Sequence, residues 1–237
     1  MKTNFQFYSA FETVFLFHKY LTMSRKGKLI KKFVENLTSY SSNEETFNMY
    51  AGNTSESYIK KQNLESYLSK MLHLKPKILF LGEAPGYKGC RLTGIPFTSE
   101  NILTNHYFFN DKDFQLARNT VKPESEATAT IVWQQLDNIS YIPLLWNIFP
   151  FHPHQKEKIF SNRTPRANEL KKGKEYFLDL LQIFEIEKIM ALGRKAEKHL
   201  SDINVPYAYV RHPANGGKKK FIEGLLKEIN KTVLSRI

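Results

Sequence analysis

The chain has 237 residues, of which 41% are hydrophobic, so it is long enough to bury a sizeable core. Its single cysteine, Cys90, excludes an internal disulfide framework and a metal cluster held by several cysteines, and it indicates a reducing, cytoplasmic compartment. The formal net charge of +12 favours a polyanionic partner, although a lysine-rich proteome or attraction to anionic membranes gives the same balance.

The N-terminal third is predicted to be mostly helical. Apolar side chains recur at helical spacing within residues 29–37 and again within residues 58–74. Residues 38–57 are rich in Ser, Asn, Glu and Thr, which is typical of a loop. We therefore expect residues 1–74 to form a helical extension that packs on an α/β domain at residues 75–237.

No membrane span is predicted near the N-terminus. Residues 5–21 are aromatic-rich but include Glu12 and Lys19, so they fall short of the ~20 apolar residues that cross a bilayer. Met23 precedes a basic stretch and is an alternative start to Met1. We accordingly expect no membrane partner.

A buried strand and the loop after it dominate the middle of the chain. Residues 78–81 are apolar without polar alternation, as in a parallel strand covered on both faces, and Gly82 ends the run. In an open α/β sheet, ligands bind beyond the carboxyl ends of the strands, so Glu83 and Phe97 are placed to meet a substrate. For this stretch alone, an ordinary turn with Glu83 solvated and Phe97 in the core is the simpler interpretation. The loop is nonetheless rich in residues that permit positive φ or stiffen the backbone: Gly82, Pro85, Gly86, Gly89, Gly94 and Pro96.

The rest of the chain alternates strands with helices. Strands are predicted at residues 140–149, 188–192 and 207–210. Helices are predicted from Ser99 through Phe108, at 128–136, after Thr164 and Pro165, from Gly193 through Leu200, and at 221–233. Residues 150–165 read as a long loop. This alternation predicts a three-layer α/β/α fold with a central, mostly parallel four-stranded sheet.

Three of the predicted strands end in polar residues: Glu83 follows the first, Asn147 lies near the end of the second, and His212 follows the last. Their surroundings resemble motifs of the uracil-DNA glycosylase superfamily, closest to its bacterial and archaeal iron–sulfur branches but without the cluster cysteines. The matching stretches are Gly-Glu-Ala-Pro-Gly at 82–86, Thr-Gly-Ile-Pro-Phe-Thr at 93–98, Leu-Leu-Trp-Asn at 144–147 and His-Pro-Ala-Asn-Gly-Gly at 212–217.

The resemblance implies a role for each motif residue. Phe97 would stack on a flipped base, and Asn147 would pair with its edge. His212 would donate to the leaving base, and Glu83 would orient the attacking water, so these two are the expected catalytic residues. The remaining base-binding positions are Gly82, Ala84, Pro85 and Gly86.

A basic turn near the C-terminus is the expected DNA contact. The resemblance places it where the superfamily has a loop that enters the minor groove, and lysines with backbone amides suit phosphates. Taken alone, its lysines are also those of a solvated helix start. The positions are Arg211, Asn215, Gly216, Gly217, Lys218 and Lys219.

Together these features predict a monofunctional DNA glycosylase of base excision repair that removes uracil without a cofactor. It would act as a monomer and, in a prokaryote, near the nucleoid. Two alternatives stay open: an inactive DNA-binding relative, and a glycosylase for another deaminated base such as hypoxanthine. Ala84 stands where the best-known uracil enzymes have an aspartate. This difference concerns the water-positioning role of Glu83, the catalytic rate and the preferred base, on which the alternatives differ.

Two histidines in the long loop raise the question of a metal. His152 and His154 lack a suitably spaced third ligand, so zinc is disfavoured and we predict no metal site. Loop or phosphate contacts are the preferred interpretation.

Overall fold

The computed structural model describes residues 10–139, 141–201 and 203–234. The helices are α1 (Ala10–Thr38), α2 (Ser55–Leu74), α3 (Cys90–Thr93), α4 (Glu100–Asn105), α5 (Ala127–Ile139), α6 (Ala167–Ile183), α7 (Arg194–Glu197) and α8 (Lys218–Leu234). The strands are β1 (Thr46–Phe47), β2 (Ile78–Gly82), β3 (Leu144–Asn147), β4 (His152–Pro153), β5 (Lys188–Leu192) and β6 (Tyr207–Val210). A 3₁₀ turn spans Tyr107–Phe109.

A four-stranded sheet organises the molecule, with the strand order β3-β2-β5-β6 and every pairing parallel. Every residue of β2 and β3 is buried, which is why their sequences lack polar alternation. The register places Gly82 of β2 beside Asn147 of β3, so both lie at the carboxyl edge. The predicted α/β fold class is confirmed.

Two predicted strands, at residues 188–192 and 207–210, have the predicted bounds. The strand predicted at 140–149 is shorter, because it forms only between Leu144 and Asn147. Ser140 lies outside the described residues. Pro143, just before β3, has no N–H to offer the ladder.

Three helix predictions were too long or misplaced. Ser99 does cap α4, but His106 adopts an extended backbone and its Nδ1 accepts the N–H of Phe108, which separates α4 from the 3₁₀ turn. The helix after Gly193 ends at Glu197 rather than near residue 200. The helix predicted to start at Thr164 and Pro165 begins at Ala167 instead.

The start of α6 is fixed by a buried ionic cluster. The Glu169 carboxylate accepts hydrogen bonds from the backbone N–H of Arg166 and from both terminal nitrogens of Arg163, with N–O distances of 2.6–2.9 Å. Thr46 of β1 also donates to this carboxylate, at 2.5 Å. These contacts lower the pKa of Glu169 to about 2 although burial opposes them. They join the antiparallel pair of β1 and β4, which sequence patterns missed in two predicted loops, to the main domain.

The N-terminal region shares the hydrophobic core of the sheet. In α1, Ile30, Phe33, Val34 and Leu37 are buried, as the helical spacing predicted, and α1 packs on α2 and α6. The division into residues 1–74 and 75–237 stays a prediction, and residues 1–9 lie outside the described part. Within that part, no helix combines the length and the apolar character that crossing a membrane requires.

Candidate active site

A cavity of about 520 Å³ opens at the carboxyl edge of the sheet. The carboxyl ends of β2, β3, β5 and β6 and the segments beside them line it, together with the start of α5 and the loop after β4. The parallel topology thus brings residues distant in sequence together. The predicted residues that line it are Gly82, Glu83, Ala84, Pro85, Gly86, Phe97, Asn147, Arg211, His212 and Asn215. The other predicted positions, Gly216, Gly217, Lys218 and Lys219, follow directly in the chain and are not part of its lining.

The predicted stacking and base-reading side chains converge over Gly82. A Cβ on this glycine would lie 2.5 Å from Cζ of Phe97 and closer still to Oδ1 of Asn147. Asn147 is 4% exposed and Phe97 is 8% exposed. Glycine is therefore required because two side chains occupy the space above it.

Phe97 has an unusual backbone conformation for a bulky residue. Its φ is +53°, a region that costs an L-residue roughly 1–2 kcal/mol. The indole Nε1 of Trp133, in α5, donates to its carbonyl oxygen at 3.1 Å. The surrounding structure thus holds Phe97 in a conformation that its own chain disfavours.

The loop that carries Phe97 is anchored by the N-terminal region. Asn63 of α2 donates to the carbonyl of Thr93 at 2.9 Å, and the Tyr50 hydroxyl donates to the carbonyl of Gly94 at 2.8 Å. Gly94 has a φ of +79° and packs directly on the backbone of Lys60. Sequence reasoning missed these anchors, because no local pattern links residues 50 and 63 to a loop thirty or more positions away.

His152 supports the pocket wall from behind. Its Nδ1 lies 2.9 Å from the carbonyl of Pro85 and its Nε2 lies 3.0 Å from that of Ile159. Burial lowers its pKa to about 4, so it is neutral and donates its single N–H to one of the two. Of the two contacts predicted for His152, the contact with its own loop is therefore correct. Contact with a phosphate is wrong for this residue, because its side chain is completely buried. Among the described residues, no group of three His, Cys, Asp or Glu side chains is placed to hold a metal ion.

Glu83 points a partly buried carboxylate toward a lysine. Burial raises the pKa of Glu83 above its ordinary range, while the ammonium of Lys195, 3.3 Å from Oε2, acts in the opposite direction. Lys195 Nζ also donates to the hydroxyl of Thr164 at 2.5 Å. Sequence reasoning placed Lys195 at the start of a helix and missed both contacts.

His212 is held in one protonation state and one tautomer. Burial, with the charges of Arg211 and Lys195, lowers its pKa, so the imidazole is neutral at physiological pH. Its Nδ1 accepts the N–H of Ala214 at 3.2 Å, which leaves the proton on Nε2. Gly193 packs against the His212 side chain, where an added Cβ would lie 3.2 Å from that of the histidine.

The turn after His212 divides into an exposed and a buried part. Asn215 and Gly216 are exposed with φ of +53° and +72°. Gly217 is buried, has no room for a Cβ beside the carbonyl of His212, and donates its N–H to Ala214 at 3.1 Å. That amide is already used within the turn, whereas the side chains of Lys218 and Lys219 are exposed at the start of α8.

Comparison with known protein families gives a match over most of the chain. The family model of the uracil DNA glycosylase superfamily matches residues 70–233, which include every strand that borders the cavity. The chain belongs to the uracil DNA glycosylase superfamily. Membership implies a glycosylase hydrolase that acts on DNA.

A solved structure shares the fold of this superfamily member. The crystal structure of wild-type SMUG2 from Pedobacter heparinus matches with a TM-score of 0.61 at 16% identity, covering 87% of this chain and 97% of that chain. The matched stretch is longer than residues 75–237, so it reaches into the N-terminal region. At this identity the likeness shows the fold alone. The search of curated proteins found no match.

Proposed function

We propose that this superfamily member is a monofunctional glycosylase that removes uracil from DNA. The observation that carries the proposal is the convergence of Phe97 and Asn147 over Gly82, in the same cavity as Glu83 and His212. A base within a duplex cannot reach such a cavity, so the nucleotide must first leave the stack, at a cost of a few kcal/mol.

Base recognition rests on Asn147 and Phe97. A carboxamide offers one acceptor and one donor group, which match N3–H and O4 of uracil and conflict with the exocyclic amine of cytosine. The buried position of Asn147 makes a mismatch costly, because its polar atoms would then lack partners. Phe97 supplies an aromatic face for stacking, held in place by its constrained backbone.

Bond cleavage rests on His212 and Glu83. As the N1–C1′ bond breaks, negative charge grows on uracil, and the Nε2–H of neutral His212 donates to its O2. The carboxylate of Glu83 orients a water that bonds to C1′ and accepts its proton. The products are free uracil, protonated from solvent, and an abasic sugar.

DNA binding is assigned to the rim around the cavity. Arg211 and Asn215 line its edge, and the exposed Lys218 and Lys219 continue the positive surface along α8. A net charge of +12 adds a long-range attraction to the phosphate backbone. The proposed form is a monomer, since each group that the proposed reaction needs comes from one chain.

The test is a gel assay of abasic-site formation on oligonucleotides that carry a single uracil, hypoxanthine or thymine, beside an unmodified control. We expect cleavable abasic sites with uracil and none with the unmodified strand. If only hypoxanthine were excised, the substrate would be another deaminated base and the proposal of uracil would be wrong. Tight DNA binding without excision of any base would overturn the catalytic proposal in favour of an inactive DNA-binding relative.

A further inference from the structure

Lys195 joins three segments at the mouth of the cavity. It lies in α7, directly after β5, and its Nζ donates to Thr164 of the loop that follows β4. The same ammonium lies 3.3 Å from the carboxylate of Glu83, directly after β2. No motif assigned a role to this lysine.

We propose that Lys195 is a positioning residue for base excision, whose ammonium group keeps the Glu83 carboxylate ionised and aimed into the cavity. The inference rests on the proposed role of Glu83 as the group that orients the attacking water. Only the ionised carboxylate accepts a proton from that water, so a change at Lys195 acts on the reaction through Glu83.

The surroundings of Glu83 set this contact apart from an ordinary surface ion pair. The side chain of Lys195 is 61% exposed, but that of Glu83 is only 21% exposed, so most of the glutamate side chain is shielded from water. Lys195 is the one cation within 4 Å of Glu83 among the residues that the structure describes. Without it, none of the described residues places a cation within 4 Å to offset the cost of a charged, partly buried carboxylate.

Three of the other charged side chains that line the cavity have partners of their own. Arg163 is paired with Glu169, and Arg194 is paired with Glu197 and lies over the Tyr209 ring. Glu126 accepts two N–H groups at the start of α5. The remaining two, Arg211 and neutral His212, lie next to each other in the chain on the segment after β6.

The direct test is the titration of Glu83 in the Lys195→Gln protein, followed by NMR with ¹³C-labelled glutamate carboxyls and assigned with Glu83→Gln. Loss of the ammonium removes a stabiliser of the charged form, so the pKa of Glu83 rises further, by about half a pH unit to one unit. Lys198→Gln removes an exposed lysine charge three residues further on and serves as the matched control, with no shift expected. Lys195→Arg should restore most of the original value.

Kinetics supply the second readout. In Lys195→Gln, the acidic limb of the plot of single-turnover rate against pH should move to higher pH. At pH values below the limb the rate should fall by about 3- to 10-fold, and at pH values above it the two rates should be nearly equal. His212 titrates on the acidic side as well, and loss of Lys195 also raises its pKa, so the Glu83 resonance isolates the proposed coupling.

The two proposals fail in different ways. An unchanged Glu83 titration in Lys195→Gln overturns the role of Lys195, whether or not uracil is excised. Absence of excision by the unaltered protein overturns the glycosylase proposal, whatever the titration shows. A shifted titration together with a shifted acidic limb supports both.

Discussion

The two loops that meet in the cavity are built in opposite ways. The first, residues 82–99, is mostly buried and is tied to the core by Tyr50, Asn63 and Trp133. The last, residues 211–217, is half-exposed, and its turn is closed by contacts among its own residues. The groups proposed to read the base therefore belong to the core, while the proposed leaving-group donor lies on a tight surface turn.

Backbone strain follows the same division. Phe97 and Asn215 have the same φ of +53°, but asparagine tolerates the left-handed region and phenylalanine does not. The unfavourable backbone conformation of Phe97 persists because its loop is buried and cannot relax without losing its hydrogen bonds. We infer that substitutions at Phe97 or its anchors alter the geometry of the pocket, whereas substitutions at His212 alter its chemistry.

The largest expected effect tests the last loop. His212→Ala removes the donor to the leaving base, so single-turnover excision of uracil should slow by on the order of 10² to 10³. The side chain is only partly buried and its hydrogen bond to Ala214 stays within the turn, so the melting temperature and DNA affinity should change little. A wild-type rate would remove His212 from the proposed chemistry, and equal losses in rate and affinity would make it a binding residue.

A slightly smaller effect is expected when the first loop is altered at its glycine. Gly82→Ala places a methyl group where Phe97 and Asn147 now meet, and displacement of both side chains should slow excision by about 10². The atoms that must move are side-chain ends, so the protein should still fold. Gly27→Ala, a change in open space on α1, is the matched control. Full activity in Gly82→Ala would show that the convergence above this residue is not needed.

The smallest effect concerns the rim. Affinity for DNA falls as salt rises, so the slope of log affinity against log salt is negative. Replacing Lys218 and Lys219 by Gln should make this slope less steep, by about 0.9 for each DNA phosphate that the variant no longer neutralises. Lys227→Gln removes a similar exposed charge more than two turns further along α8, and its slope should match that of the parent. Equal slopes in all three proteins would place the DNA on another surface.

The sequence was most informative where burial or backbone chemistry leaves a local pattern. The apolar runs of β2 and β5 predicted their strands, and the residues at strand ends predicted which groups meet in the cavity. These features depend on near neighbours and on the general geometry of parallel sheets.

Interactions between distant segments left no such pattern. The anchors from Tyr50 and Asn63, the bridge from Lys195 to Thr164, and the two-residue strands β1 and β4 each pair residues dozens of positions apart. A two-residue strand has no periodicity to detect. A lysine near a helix start looks the same whether it is solvated or paired with a carboxylate.

The central claim, that the pocket over Gly82 reads uracil through Asn147, is tested most directly by Asn147→Asp. A carboxylate lacks the donor for O4 and accepts from an exocyclic amine, so excision of uracil should fall while excision of cytosine becomes detectable. The measurement is single-turnover abasic-site formation on matched uracil and cytosine oligonucleotides, with the parent protein beside the variant. We predict that the ratio of the two rates moves toward cytosine by at least about tenfold, the loss of one matched hydrogen bond. An unchanged rate on uracil, with no cytosine excised, would show that Asn147 does not read the base.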